Sequence, residues 1–369
     1  MADPRQMPTA PPTIYDVARV AGVSIASVSR VLNSNRNPRQ ETRERVLQAV
    51  AELGFVPDGA ARALSARLKE VVGVVIRRVS WVETTEGAFA EEDESLQFPD
   101  VINRGIEIAA QRQDFNLLVG SVEVNSHDAS GRVLAIARKS DGLILHDRVL
   151  EPAQLAQLSR RVPIVTLAYV ATPTTANVHG DNKSGMRDLV RHLVAGHGYR
   201  TLAYLAGLAD SPDSAARHEA VVTEAEAGGA TLLTGPQWQG NYYAAGGARV
   251  IERLVAAGAA MPRAIVCAND QTALGVMYAL ARHGIEVPGE VAVTGFDDIS
   301  MARHLRPQLT TVRQPIQEIG ATAFDVLHSM ISDGAPAERD VVLPTRLILR
   351  ESCGCPSPSP STSPARRGA

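Results

Sequence analysis

Residues 24–30 gather short side chains around one guanidinium: Ser24, Ile25, Ala26, Ser27, Ser29 and Arg30. Small polar and apolar groups beside an Arg allow close approach to base edges and phosphates, which is the chemistry of reading duplex DNA. The rest of the chain offers little for covalent chemistry. No Gly-x-Ser-x-Gly nucleophile elbow occurs. No Walker loop occurs, and Gly196-His197-Gly198 is not a dinucleotide fingerprint. Cys353 and Cys355 form a Cys-x-Cys, but a zinc site needs two more ligands and none follows. That pair therefore reads as structural or incidental, and no metal or cofactor is expected. Catalysis has no positive signal, so the chain is not read as an enzyme.

Positioning such a reader requires short helices. Ile14, Val17, Ala18 and Ala21 recur at helical spacing, and Thr13 with Asp16 can form a capping box. Gly22 should end that helix and Ser24 cap the next, in which Val28, Val31 and Leu32 form an apolar face. A third helix carries Val46, Ala49, Val50 and Leu53 and stops at Gly54. Two helices joined by Ala21-Gly22-Val23-Ser24 make a helix-turn-helix, whose second helix can enter a major groove. Charge agrees: residues 1–70 hold ten Lys/Arg against seven Asp/Glu, whereas residues 71–369 hold 27 against 33. The basic end is where a polyanion is to be sought.

The 369 residues divide further. Residues 1–12, with four prolines, read as a disordered arm, residues 13–57 as the DNA-binding domain and residues 58–69 as an Ala/Arg-rich linker. From residue 70 to 355, apolar runs alternate with amphipathic stretches. Val72–Ile76, Asn116–Val119, Gly142–Leu145, Pro163–Leu167, Leu202–Leu205, Ala264–Cys267 and Val291–Gly295 read as buried strands. Helical patterns such as Val101–Arg112, Gly185–Leu193 and Ala244–Ala256 lie between them. Alternation of this kind predicts an α/β fold of parallel sheets covered on both faces, in two lobes given the length. The acidic stretch 79–97 reads as a solvated loop or a lid over a ligand, and residues 356–369 as a disordered tail. No apolar run reaches 18 residues, Met1–Pro12 lacks a signal-type apolar region, and three cysteines fit a reducing compartment. A cytoplasmic protein is expected.

The strings TIYDVARVAGVSIASVSRVLN (13–33) and ETRERVLQAVAELGFVPDGAARAL (41–64) resemble the N-terminal headpiece of the lactose-repressor/galactose-repressor family of transcription regulators. The resemblance implies phosphate contacts from Tyr15, Ser24 and Asn33 and base reading by Ile25, Ala26, Ser27 and Arg30. It implies that Ala61-Arg62-Ala63-Leu64 is a hinge helix that folds on the operator, with Leu64 wedging a base step in the minor groove. Arg39 departs from the family's usual Ser-type cap. Asn37 with Pro38, and Gln40 closing the box, can replace it one turn earlier.

Strings in the remaining chain resemble the same family: Asp181-Asn182-Lys183-Ser184-Gly185, Ala268-Asn269-Asp270-Gln271, and Val293-Thr294-Gly295-Phe296-Asp297-Asp298 followed by Pro307-Gln308-Leu309-Thr310-Thr311-Val312. They imply a periplasmic-binding-protein-like core. Lobe 1 is expected at about 70–175 and 307–338, and lobe 2 at about 176–306 and 339–355. A small molecule, expected to be a sugar or sugar derivative, would lie between them. The resemblance puts His146, Arg217, Tyr242, Asn269 and Asp297 on that ligand, with Trp238 a nearby substitute for the stacking aromatic. Where many sugar-responsive members carry an Asp, this chain has Ala168, so a hexose is less secure. The tail PSPSPSTSPARRGA has no leucine heptads, so a homodimer on a pseudo-palindromic operator is expected, not a tetramer. The rival expectation is a small-molecule binding protein without a DNA role.

Overall fold

The computed structural model describes residues 12–32, 39–55, 68–78, 97–123, 128–146, 148–169, 171–336 and 338–356. They fall into two compact units that divide between Lys69 and Glu70. Asn33, Ala61, Leu64, the hinge string, most of the 79–97 stretch and the tail from residue 357 lie outside the described residues.

The first unit holds α1 (Ile14–Ala21), α2 (Ile25–Leu32) and α3 (Gln40–Leu53). Val17, Val28 and Val46 are fully buried where the three helices meet, with Ala18, Ala21 and Ala49 around them. Burying one such Val contributes about 1.5–3 kcal/mol, so this small core is carried by a handful of residues. The Asp16 carboxylate accepts hydrogen bonds from the Thr13 N–H (3.0 Å) and hydroxyl (2.7 Å), and from Arg19 Nη2 (2.8 Å). α1 ends where Gly22 turns left-handed at φ 63°, and α3 where Gly54 does so at φ 61°. Ser24 Oγ accepts the Ser27 N–H at 3.2 Å and caps α2. α3 opens at Gln40 behind Arg39; the replacement cap expected from Asn37 and Pro38 lies outside the described residues.

The second unit runs β1 (Val71–Arg78), α4 (Gln97–Gln111), β2 (Asn116–Glu123), α5 (Ala129–Ala137), β3 (Gly142–His146), α6 (Pro152–Leu158), β4 (Ile164–Leu167) and β5 (Ala176–Gly180). It continues with α7 (Asn182–Arg191), β6 (Thr201–Leu205), α8 (Pro212–Ala227), β7 (Thr231–Leu233), α9 (Ala244–Ala256), β8 (Ala264–Cys267), α10 (Asp270–Arg282) and β9 (Ala292–Asp297). It closes with β10 (Thr310–Arg313), α11 (Ile316–Asp333), β11 (Asp340–Leu343) and β12 (Arg346–Ile348). These build two six-stranded sheets, ordered β11-β5-β4-β3-β1-β2 and β12-β10-β9-β8-β6-β7. All pairings are parallel except β12 against β10. In the first sheet Val72 pairs with Leu117 on one side and Gly142 on the other.

Both sheets are covered on both faces, as runs of buried Val, Ile and Leu require. In lobe 1, α4 and α11 bring Ile102, Ile106, Ile319 and Phe324 to one face. α5 and α6 bring Val133, Leu155 and Leu158 to the other. In lobe 2, α7 and α8 supply Met186, Leu189 and Val221, while α9 and α10 supply Val250, Ile251, Val276 and Leu280.

The exchange points expected near 175, 307 and 338 are corrected. β5 is the fifth parallel strand of lobe 1, β10 stays in lobe 2, and β11 returns to lobe 1. The chain therefore crosses at about 181, 314 and 344. The displaced strands are short and carry polar residues (Ala-Asn-Val-His-Gly, Thr-Thr-Val-Arg, Asp-Val-Val-Leu), so apolar periodicity does not mark them. The first and third crossings lie together: the Thr345 hydroxyl donates to the Asp181 carbonyl (2.9 Å), and the Asp181 N–H to the Leu343 carbonyl (2.8 Å).

Candidate functional site

The two units present separate candidate surfaces. In the helical unit, burial of Val28 fixes the rotation of α2 and turns Ile25, Ala26 and Arg30 outward. Ile25 is 42% exposed and Tyr15 on α1 is 67% exposed, high values for such apolar bodies. The Ser27 hydroxyl sits 2.9 Å from the capping Ser24 hydroxyl. Arg30 Nε donates to the Ala26 carbonyl at 3.1 Å, which lays the guanidinium along its own helix. Sequence reasoning missed Arg45. From α3, its Nη2 donates to the carbonyls of Ala21 and Gly22 and so closes the turn from behind. A basic residue on a helix face carries no local signal for that task.

In the α/β unit, a cavity of about 160 Å³ opens between the lobes, and His146, Arg217, Tyr242, Asn269 and Asp297 all line it. They come from three elements and two loop positions, yet meet because carboxyl ends of parallel strands share one edge of a sheet. The two walls differ. Lobe 1 contributes Ile76, Phe98, Pro99, Leu167 and Ala168, with His146 and Arg77 its polar members. Lobe 2 contributes Ser211, Asp213, Arg217, Asn269, Gln271 and Asp297, with the rings of Tyr242 and Tyr243.

Arg217, in the second turn of α8, is 3% exposed. Its Nε donates to Asn182 Oδ1 and its Nη1 to the Ala268 carbonyl, both at 2.7 Å. Its guanidinium carbon stands 3.8 Å from the Phe296 ring centre. Asp213 and Asp297 carboxylates flank it at 3.7 and 3.9 Å, too far for direct hydrogen bonds. Asn182, which also donates to Asp213 Oδ1 (2.9 Å), and Asp213 itself are polar residues the sequence left unassigned.

Asp297 ends β9 at φ 117°, and Asp298 follows at φ 58°. Neither conformation suits an L side chain, and surrounding bonds hold both in place. Gln314 Nε2 donates to Asp297 Oδ1 (2.6 Å), and Arg350 Nη2 to Asp298 Oδ1 (2.6 Å). Burial pushes the Asp297 carboxyl up to about 6, against the opposing pull of Arg217 and the Gln314 bond. Asp297 therefore changes charge close to neutral pH.

Asn269 is the cap of α10: its Oδ1 accepts the Thr272 N–H (3.0 Å), and its Nδ2 donates to the Tyr242 carbonyl (3.0 Å). It fixes the Tyr242 loop and has limited capacity left for a ligand. Tyr242, at φ 72°, lays its ring over Gly207, where a Cβ would fall 2.2 Å from the ring. Trp238 is not the stacking aromatic: it is 4% exposed and packed in the lobe 2 core with Leu205 and Ile251. His146 ends β3, 6% exposed, and its Nε2 has no hydrogen-bond partner. Burial lowers its pKa to about 4, so it is neutral at physiological pH. A buried ring nitrogen facing a cavity is ready for a ligand hydroxyl. Arg77, another residue the sequence left out, reaches across the cleft mouth. Its Nη1 and Nη2 donate to Asp210 Oδ1 (3.1 Å) and Oδ2 (2.7 Å), joining lobe 1 to lobe 2.

Residues 13–58 match the bacterial regulatory proteins of the lacI family, and residues 190–353 a periplasmic binding protein-like domain. The catabolite control protein A of Priestia megaterium is 30% identical over 92% of this chain and 98% of its own length. The chain belongs to the lacI family. The HTH-type transcriptional regulator GalS of Salmonella typhimurium is 32% identical, over 85% of this chain and 88% of its own. Among solved structures, a lac repressor dimer bound to operator and the anti-inducer ONPF superposes with a TM-score of 0.76. It is 28% identical and covers 93% of this chain and 99% of that one. A transcriptional regulator CelR in complex with cellobiose superposes at 0.65, with 26% identity over 92% and 99%. This lacI-family member is thus a DNA-binding transcription regulator, with a helix-turn-helix unit and a two-lobed core of parallel sheets. Among the described residues, no helix is long and apolar enough to cross a membrane.

Proposed function

We propose that the protein is a homodimeric repressor whose grip on a pseudo-palindromic operator is set by a single-ring, polyhydroxylated small molecule held between the lobes. The observation that carries this is the convergence of Arg217, Asp297, Asp213 and the unpartnered His146 on one cavity. Hydroxyls of a sugar-like ring match this mixture of fixed donors and carboxylate acceptors. A cavity of roughly 150 Å³ holds one six-membered ring, so a monocyclic ligand fits this cavity. The apolar lobe 1 wall, with Ala168 in place of an acid, favours a ring with one apolar face, such as a deoxy sugar or an alkylated glycoside. Tyr15, Ser24, Ile25, Ala26, Ser27 and Arg30, with Asn33, would contact operator DNA. Ala61 and Leu64 would belong to a hinge that couples the cleft to it. A dimer gives each half-site one recognition helix. Such a protein acts where operator DNA is, in the cytoplasm, and no catalytic role is assigned.

The test is fluorescence anisotropy on operator fragments from the neighbourhood of the protein's own gene, with and without candidate sugars. Specific binding should weaken on Arg30→Ala, fall steeply with salt, and shift at least tenfold with the correct effector. Sequence-independent binding untouched by Arg30→Ala or Leu64→Ala overturns the DNA reading. Binding that no sugar alters, from a protein whose melting point no sugar raises, overturns the effector reading.

A further inference from the structure

The sequence reads Cys353 and Cys355 as a structural or incidental pair with no further ligands in reach, but the fold brings two histidines to them. Cys353 and Cys355, at the end of the described core, lie against His192 and His197, more than 150 positions earlier in the sequence. His192 opens a single π-helical turn (His192–Gly196) that continues α7, and His197 follows directly behind it. π-turns inside helices recur at functional sites. Here the turn brings two imidazoles of a His-x4-His pair to one point. Gly354 bends left-handed at φ 97°, which lets the sulfurs on either side of it face the same way.

The four ligand atoms lie within 4.8 Å of one another. His192 Nε2 is 3.0 Å from His197 Nε2, 3.7 Å from Cys353 Sγ and 3.4 Å from Cys355 Sγ, and His197 Nε2 is 3.5 Å from Cys355 Sγ. Zinc bonded to nitrogen at about 2.0–2.1 Å and sulfur at about 2.3 Å, in a tetrahedron, requires edges of about 3.3 Å between nitrogens and about 3.6 Å between nitrogen and sulfur. These four edges fall within about 0.3 Å of those, and the two that involve Cys353 with His197 and with Cys355 lie within 4.8 Å. A mere imidazole–imidazole hydrogen bond would account for the first distance and not for two thiols closing the other faces.

The surroundings are those of a held site. The Tyr199 hydroxyl donates to the Cys353 carbonyl at 3.0 Å, and the Tyr199 ring stacks on His197 at 5.2 Å between centres. The Thr310 hydroxyl lies 3.1 Å from Cys353 Sγ. Groups that orient first-sphere ligands in this way are a usual part of zinc sites.

We propose that His192, His197, Cys353 and Cys355 bind one zinc ion as a closed, four-ligand structural site. Four protein ligands leave no open position for catalysis. The ion would staple the C-terminal segment of lobe 2 to the end of α7. The same segment carries Arg350, which bonds Asp298 beside the effector cavity. Loss of zinc would therefore loosen one wall of the cleft.

The full-length protein, purified without chelator or affinity metal, should carry close to one zinc per chain by mass-spectrometric elemental analysis. Refolding with cobalt(II) alone should give the visible d–d bands of a tetrahedral site together with thiolate charge-transfer absorption. Zinc should be lost in the His197→Gln/Cys355→Ser double variant, and its melting temperature should fall by about 5 °C or more. Chelator should lower the melting point of the parent by a similar amount and leave that of the double variant unchanged. His197→Cys keeps four ligands and should keep the metal, a rescue that loss of packing cannot mimic. A folded parent with far less than one zinc per chain and both thiols freely titrating, or one that holds copper and rejects zinc, overturns the assignment. So does a double variant that retains the metal.

Discussion

Arg217 is held on three sides by the protein itself: by the Asn182 side chain, the Ala268 carbonyl and the Phe296 ring. Its remaining N–H groups point between two carboxylates too distant for direct bonds, a gap that ligand hydroxyls can bridge. Arg217→Met would leave one buried carboxylate, Asp297, and one partly buried, Asp213, unbalanced. Removing one partner from such a group costs about 3–5 kcal/mol. The variant should melt several degrees lower, and a sugar that stabilises the parent should no longer do so; an unchanged thermal shift would remove Arg217 from the site. Asp297 gives a second, independent handle. Its carboxyl is raised to about 6 by burial, so without ligand its ionisation costs stability as pH rises through that value. Effector hydroxyls donate to the ionised form and favour it. Effector affinity should therefore be flat above pH 7 and fall about tenfold for each unit below the folded pKa, with one proton exchanged. Titration calorimetry in buffers of different ionisation heat reads that proton. In Asp297→Asn the dependence should vanish.

Elements decide which of these residues can meet. In the helical unit the tight α1–α2 turn depends on the left-handed Gly22 and on Arg45 reaching in from α3. Arg45→Met leaves two carbonyls without that donor, a loss of roughly 1–3 kcal/mol. Hydrogen exchange should show α1 and α2 opening more readily, and DNA affinity should drop on specific and random sequences alike, while effector binding to the core stays as in the parent. If exchange in α2 is unaffected, the turn is held by Gly22 and Ser24 alone. The helices and central strands of both units are legible in the sequence because apolar spacing reports one buried face or a fully buried strand. β3, β6 and β8 show this most plainly. β5, β10 and β11 are not legible that way, since Asn177, Thr310, Thr311 and Asp340 make bonds instead of apolar contacts. The same limit hid half of the cleft. Asp213 and Arg77 resemble ordinary surface charges until the fold sets a partner before them, and His192 and His197 gain meaning only opposite a segment far along the chain.

At the scale of the molecule, three crossings near 181, 314 and 344 join the lobes, and a bridge closes the mouth opposite. Arg77 and Asp210 form a two-pronged pair, the Arg side chain only 10% exposed and the Asp 40%. Exposed pairs contribute about 0–1 kcal/mol, and a paired fork lies at the upper end. About 1 kcal/mol is small against folding, yet it weighs fully on an equilibrium between open and closed lobes that itself spans a few kcal/mol. Arg77→Ala should thus leave the melting point almost unchanged while weakening effector binding about fivefold. Small-angle scattering should show a larger radius of gyration without effector and the parental value at saturation. Asp210→Ala should do the same, and the two changes together should add little to either one, the signature of a coupled pair. If the losses instead add in full, Arg77 and Asp210 act on the ligand separately. The cleft would then close through the effector contacts and the three crossings alone.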